Sequence, residues 1–169
     1  RNAQETFDIS ADLEELAQTS VAVVCAGAKS ILDIGLTKEY LETNGVPILG
    51  YQTEDLGGFY TRQSGFKVDQ KVESANDLAK IIDTKAKCGL KGGMVISNPI
   101  PAEYEMDYNF ITDATNAALK ESVEKGIKGK DTTPFLLERI HTITQGKSVV
   151  ANKQLVFNNA RVAALIAVE

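Results

Sequence analysis

The chain has 169 residues, 43% of them hydrophobic, and a net charge of −5. That length suits one domain with a real core, and the composition excludes a disordered tail. The acidic balance speaks against a nucleic-acid-binding surface, and no apolar run is long enough to span a bilayer.

In chain order, residues 10–18 (SADLEELAQ) are expected to form a short helix. Ser10 can cap it, and Asp12, Glu14 and Glu15 suit its positive end. The β-rich run 21–26 predicts a buried strand. Residues 36–43 predict a helix closed by Asn44-Gly45, and 46–50 a short strand. The polar, Gly-rich segment 52–72 reads as one long irregular loop.

Residues 74–88 follow, a helix capped by Ser74 with Leu78, Ile81 and Ile82 on one face. Met94–Ser97 predicts a third strand, stopped by Asn98-Pro-Ile-Pro101 because proline cannot continue a central ladder. A helix across about 107–125 ends at Gly126. Pro134 opens another near its first turn, and 149–167 make the last. Strands alternating with helices predict an α/β layered fold, α/β/α, with a mainly parallel sheet. Ligands sit at the carboxyl ends of strands in such sheets, where the turns holding Lys29 and Asn98 fall.

Lys29 is the first chemical candidate. It is not part of a phosphate-binding loop, because G-x-x-x-x-G-K-[ST] requires glycines where this chain has Val23 and Ala28. A lysine partly desolvated beside Ala26-Gly27-Ala28 would favour the neutral amine, which can form a Schiff base with a sugar aldehyde. The alternative is a surface lysine that snorkels away from the strand end. Asp8 and Asp12, with Ser10 between them, could hold a divalent cation or orient a sugar hydroxyl; ordinary helix-start chemistry explains them equally. Asn152 and the pair Asn158-Asn159 could read a uracil-like edge or serve a capping role. His141, the only histidine, sits near a helix end and reads as structural. No C-x-x-C and no second histidine point to a metal cluster. Cys25 and Cys88 read as buried, reduced thiols of a cytoplasmic protein, with a disulfide left open. No secretory signal is visible after Arg1.

Several stretches together resemble the pseudouridine-5′-phosphate glycosidase family: TFDISADLEELA (6–17), VVCAGAKSILDIGLTKEYLETNGVP (23–47), the aromatic run at 58–66, GLKGGMVISNPIPAEY (89–104), TPFLLERI (133–140) and the helix 149–167. CAGAKSILD and NPIP are specific in combination. The resemblance implies reversible cleavage of the C–C glycosidic bond of pseudouridine 5′-phosphate to uracil and ribose 5-phosphate. The carbon–oxygen lyase class, a divalent metal, usually manganese, and a homotrimer are implied with it. Lys29 matches the lysine that attacks C1′ and opens the ribose. Asp8 matches the metal-binding aspartate, Ser10 a position near the phosphate, Asp12 an aspartate beside the reacting sugar, and Asn152 the asparagine that reads uracil. Asn98 and Arg62 are weaker candidates, placed only by their loops.

The family chain is about twice as long, so residues 1–169 are expected to be the C-terminal portion of a single domain. The segment with the general acid/base glutamate, a phosphate-binding lysine and a Gly-rich run has no counterpart here. Gly57-Gly58 departs from the bulkier or proline-containing stretch expected, and Lys153 is more polar than expected. Two other readings stay open: another Schiff-base sugar-phosphate lyase, and a non-catalytic binding or assembly module that kept the fold.

Overall fold

A computed structural model describes residues 9–29, 33–127 and 129–169. The described residues form four strands and six α-helices. In chain order these are α1 (Ala11–Gln18), β1 (Ala22–Cys25), α2 (Ile34–Thr43), β2 (Ile48–Tyr51), β3 (Gln70–Val72), α3 (Ala75–Lys87), β4 (Met94–Ser97), α4 (Tyr108–Glu124), α5 (Thr132–Ile143) and α6 (Lys147–Ala167). All strand pairs are parallel, in the order β1-β4-β2-β3. The expected layered α/β fold is therefore present.

The helix starts follow local chemistry. The Ser10 hydroxyl accepts from the Asp12 N–H, Asp33 caps α2, Ser74 caps α3 and Asp107 caps α4. Each side chain satisfies an amide that the first turn leaves unpaired. Gly45 and Gly126 end α2 and α4 at φ +68° and +66°, a conformation that disfavours residues with a Cβ.

Side chains alternate across the sheet with period two. Leu49, Met94 and Ile96 face one side, where Leu78 of α3 and Val162 and Ile166 of α6 cover them. Ile48 and Val95 face the other, against Leu41 of α2 and, at its margin, Leu13 and Leu16 of α1. A third cluster joins the chain after β4 to α4, α5 and α6 through Ile100, Ile111, Ile140 and Leu155. Burying each such aliphatic side chain contributes about 1.5–3 kcal/mol, so the layers are held mainly by these three clusters. The surface ion pair of Arg139 Nε with Glu121 (2.6 Å) joins α4 to α5; exposed pairs of this kind contribute about 0–1 kcal/mol.

Three expectations need correction. The segment 52–72 is not loop throughout: Gln70–Val72 pair with Leu49–Tyr51 as a short edge strand. Its three polar-biased residues carry no alternation long enough to read. Among the described residues β1 is the other edge of the sheet rather than a buried strand, with Val23 37% exposed and Val21, just before it, 41% exposed. Cys88 is exposed at the end of α3, and Cys25 is partly buried; both are free thiols.

Candidate functional site

The site is built where β1 and β4 end side by side. Cys25 pairs with Ser97 in register, and the Asn98 N–H donates to the Cys25 carbonyl at 2.8 Å, so both exits are fixed together. After β1 the chain turns at Gly27, whose φ is +93°, and reaches Lys29 two residues later. Lys29 is half-buried.

A cavity of about 610 Å³ opens at this turn. Gly27 and Ala28 line it together with Ser10 and Asp12 from the start of α1, Cys25, and apolar side chains such as Leu36 and Leu41 of α2. The structure thus brings Ser10 and Asp12 beside Gly27 and Ala28 of the lysine turn, while Lys29 itself is not among the lining residues. Ser10 and Asp12 are exposed; the Ser10 hydroxyl also accepts from the Asp12 N–H at 3.3 Å. The capping and ligand-facing readings of these two residues are therefore compatible. Tyr40 of α2 hydrogen-bonds Glu14 of α1 and ties the two helices that wall the cavity.

Other candidates fall elsewhere. Asn152 lies on the exposed side of α6 and is not among the residues lining this cavity. Asn98 is buried and donates through its side-chain amide to Asn159 Oδ1 at 3.0 Å. Its partner in that pair of asparagines, Asn158, donates to the Pro99 carbonyl at 3.4 Å. Arg62 donates to the Ile100 carbonyl at 2.9 Å, and its backbone N–H donates to the Glu105 carboxylate. These are fold-fixing contacts around the β4 exit. His141 sits in the last turn of α5, where a structural role was expected. Asp8 lies outside the described residues. Among the described residues no cluster of three metal-ligating side chains occurs.

Sequence reasoning missed Ser97 and the glycines that meet behind it. The Gly57 N–H donates to Ser97 Oγ at 3.1 Å, and Gly27 bridges Gly58. The signal was present in Gly57-Gly58, which looked like a departure but is a close approach between two backbones. Burial pushes the Cys25 thiol up from its ordinary range, and the Gly27 backbone N–H opposes this more weakly. Burial likewise pushes the Tyr60 phenol up, with Ser148 pulling against it.

The fold defines an α/β protein with a parallel sheet, and the Lys29 and Asn98 turns lie at the carboxyl ends of its strands, where ligands bind in such sheets. The chain belongs to the family described as indigoidine synthase A like protein, which matches residues 1–169. It is 65% identical over 169 residues to a pseudouridine-5′-phosphate glycosidase of Clostridium botulinum, covering 100% of this chain and 55% of that protein. It is 61% identical over 167 residues to one of Brachyspira hyodysenteriae, covering 99% and 54%. The chain thus spans about half the length of these relatives, and it matches their C-terminal half. Among solved structures it is similar to the prealnumycin C-glycosynthase AlnA in complex with ribulose 5-phosphate, with TM-score 0.90 and 33% identity over 99% of this chain and 57% of that one. An indigoidine synthase A-like protein of Thermotoga maritima gives TM-score 0.85 and 34% identity over 95% and 53%.

Proposed function

We propose that this chain carries the nucleophile-bearing part of a pseudouridine-5′-phosphate glycosidase, with Lys29 as nucleophile. The observation that carries the reading is the placement of half-buried Lys29 at the exit of β1, next to a cavity shared by Ser10 and Asp12. The 65% identity with a relative of that name supports the substrate.

The chemistry suits these residues. A C–C bond has no heteroatom leaving group, so an amine that divides the task into steps lowers the barrier. The Lys29 amine attacks C1′ and the C1′–O4′ bond breaks, leaving an open-chain adduct with a new hydroxyl at C4′. The nitrogen lone pair then forms C1′=N as the C1′–C5 bond breaks, and uracil departs with a proton gained at C5. Water adds to the iminium, and ribose 5-phosphate leaves as the amine is restored. Asp12 would orient a sugar hydroxyl or relay a proton, and Ser10 would lie near the phosphate.

Asn152 is kept as the proposed uracil reader, although it does not line the cavity formed by the described residues. A divalent cation, proposed to be manganese, would be held through Asp8 and would neutralise phosphate charge when bound. No proton donor to uracil is assigned among these residues.

The whole protein is proposed to be one cytoplasmic domain that assembles as a homotrimer, without nucleic-acid or membrane partners. Exposed Val150, Val156 and Phe157 on α6, with Val21 and Val23 at the β1 edge, support cover by further chain or by other copies. No helix among the described residues is long and apolar enough to cross a membrane. The ribulose 5-phosphate held by AlnA favours a second reading, another Schiff-base lyase of sugar phosphates.

The test is release of uracil from pseudouridine 5′-phosphate by the full-length protein with manganese, followed chromatographically. The proposal expects uracil and ribose 5-phosphate in equal amounts, and none from Lys29→Ala. No uracil from the unaltered protein, or undiminished release by Lys29→Ala, would overturn it.

A further inference from the structure

The loop after β2 meets the lysine turn backbone to backbone at Gly27 and Gly57. A Cβ on Gly27 would lie 1.7 Å from the Gly57 carbonyl oxygen, and a Cβ on Gly57 would lie 2.3 Å from the Ala26 carbonyl oxygen. Neither position admits any side chain without moving the other segment. The loop is then fastened from both sides. The Gly57 N–H donates to Ser97 Oγ at 3.1 Å, and the Phe59 N–H donates to the Ala26 carbonyl at 3.0 Å. Ser97 is itself fully buried at the end of β4. Phe59 is held at φ +68°, a region costly for a residue with a Cβ. Backbone held so tightly at a strand exit is over-determined by its surroundings, as strained positions beside sites are.

We infer that Ser97 and Gly57 are positioning residues for Lys29. Ser97 holds the Gly57 amide, Gly57 bears on the Ala26–Gly27 backbone, and that backbone fixes where the chain delivers Lys29. Neither residue touches substrate; both act through the turn. This rests on the glycosidase reading above, and it names what sets the amine's position for attack on C1′. Displacing a reacting group by about 1 Å can lower a rate on the order of 100-fold, so a contact this close is sufficient to matter.

The experiment compares full-length wild type with Gly57→Ala, Ser97→Ala and Gly93→Ala. Gly93→Ala is the control: its Cβ would lie 2.8 Å from the Val21 carbonyl oxygen, at the opposite end of the sheet from Lys29. Two quantities are read below each variant's melting temperature. One is the rate at which borohydride traps ribose 5-phosphate on Lys29; the other is the division of any loss between kcat and KM for pseudouridine 5′-phosphate.

The inference expects Gly57→Ala to slow trapping and kcat by about 10- to 100-fold, with KM within about threefold. Ser97→Ala should slow both by about 3- to 10-fold, and Gly93→Ala should lose stability but keep its trapping rate. Wild-type trapping rates in Gly57→Ala overturn the inference, as does equal slowing in Gly93→Ala. If Gly57→Ala does not fold, Ser97→Ala decides by the same criterion. If wild type traps nothing at Lys29, the glycosidase reading fails, and the inference falls with it.

Discussion

The side-chain amide of Asn98 donates to Asn159 Oδ1 at 3.0 Å, joining the exit of β4 to the middle of α6 across 61 residues of sequence. Asn98 is buried, so a partner lost here leaves a polar group without water to replace it. Asn159→Ala should therefore destabilise the protein by about 1–3 kcal/mol. Urea unfolding checks this, and a loss well under that range would mean that Asn98 finds another partner.

The core supplies a larger effect. Leu78 is fully buried between α3 and the sheet face carrying Leu49 and Ile96. Leu78→Ala removes that packing and leaves a cavity, for an expected cost of about 2–5 kcal/mol. A surface change such as Val123→Ala, at a side chain 79% exposed, should stay within about 0.5 kcal/mol. Denaturant midpoints of the two variants make the comparison.

Much of this architecture is legible in the sequence because its signals are local. Ser10 and Ser74 announce helix starts by the amides they can accept, and Gly45 and Gly126 announce ends by the conformation they allow. What is not legible depends on contacts distant in sequence. β3 is three residues long and forms only because Leu49–Tyr51 offer a free edge. Ser97 reads as the last residue of a strand, and its bond to Gly57 spans 40 positions. The candidate site divides in the same way. Ser10 and Asp12 line one cavity with Gly27 and Ala28, the residues just before Lys29, whereas Asn152 is exposed on α6 and does not line it.

A single substitution separates the capping role of Ser10 from its proposed place near the phosphate. As the cap of α1 it accepts from the Asp12 N–H, and Ser10→Ala should cost about 0.5–2 kcal/mol of stability. Ser10→Asp restores a capping oxygen but adds negative charge to the cavity wall. The variant should recover stability yet raise KM for a phosphorylated substrate. Thermal melts and steady-state kinetics of both variants test this, and equal KM values would remove Ser10 from the phosphate side of the site.

Cys25 gives a pH dependence with a definite sign. Burial raises its thiol above the ordinary range, so between the unfolded and folded values the folded protein holds a proton that the unfolded chain has released. Stability from this group is complete below the ordinary thiol range, near pH 8.5, and is lost as pH rises through the folded value. Cys25→Ala should therefore flatten the decline in stability above about pH 8.5, measured by denaturant unfolding at neutral and alkaline pH. Exposed Cys88 should also be alkylated before Cys25 at neutral pH, which mass spectrometry of the digested protein resolves.

The most direct measurement is reductive trapping. The full-length protein is incubated with ribose 5-phosphate, manganese and borohydride, and the adduct is located by intact mass and peptide mapping. The account predicts one sugar-phosphate adduct on Lys29 that vanishes in Lys29→Arg. An unmodified mass, or an adduct that maps to another lysine and survives Lys29→Arg, would contradict it.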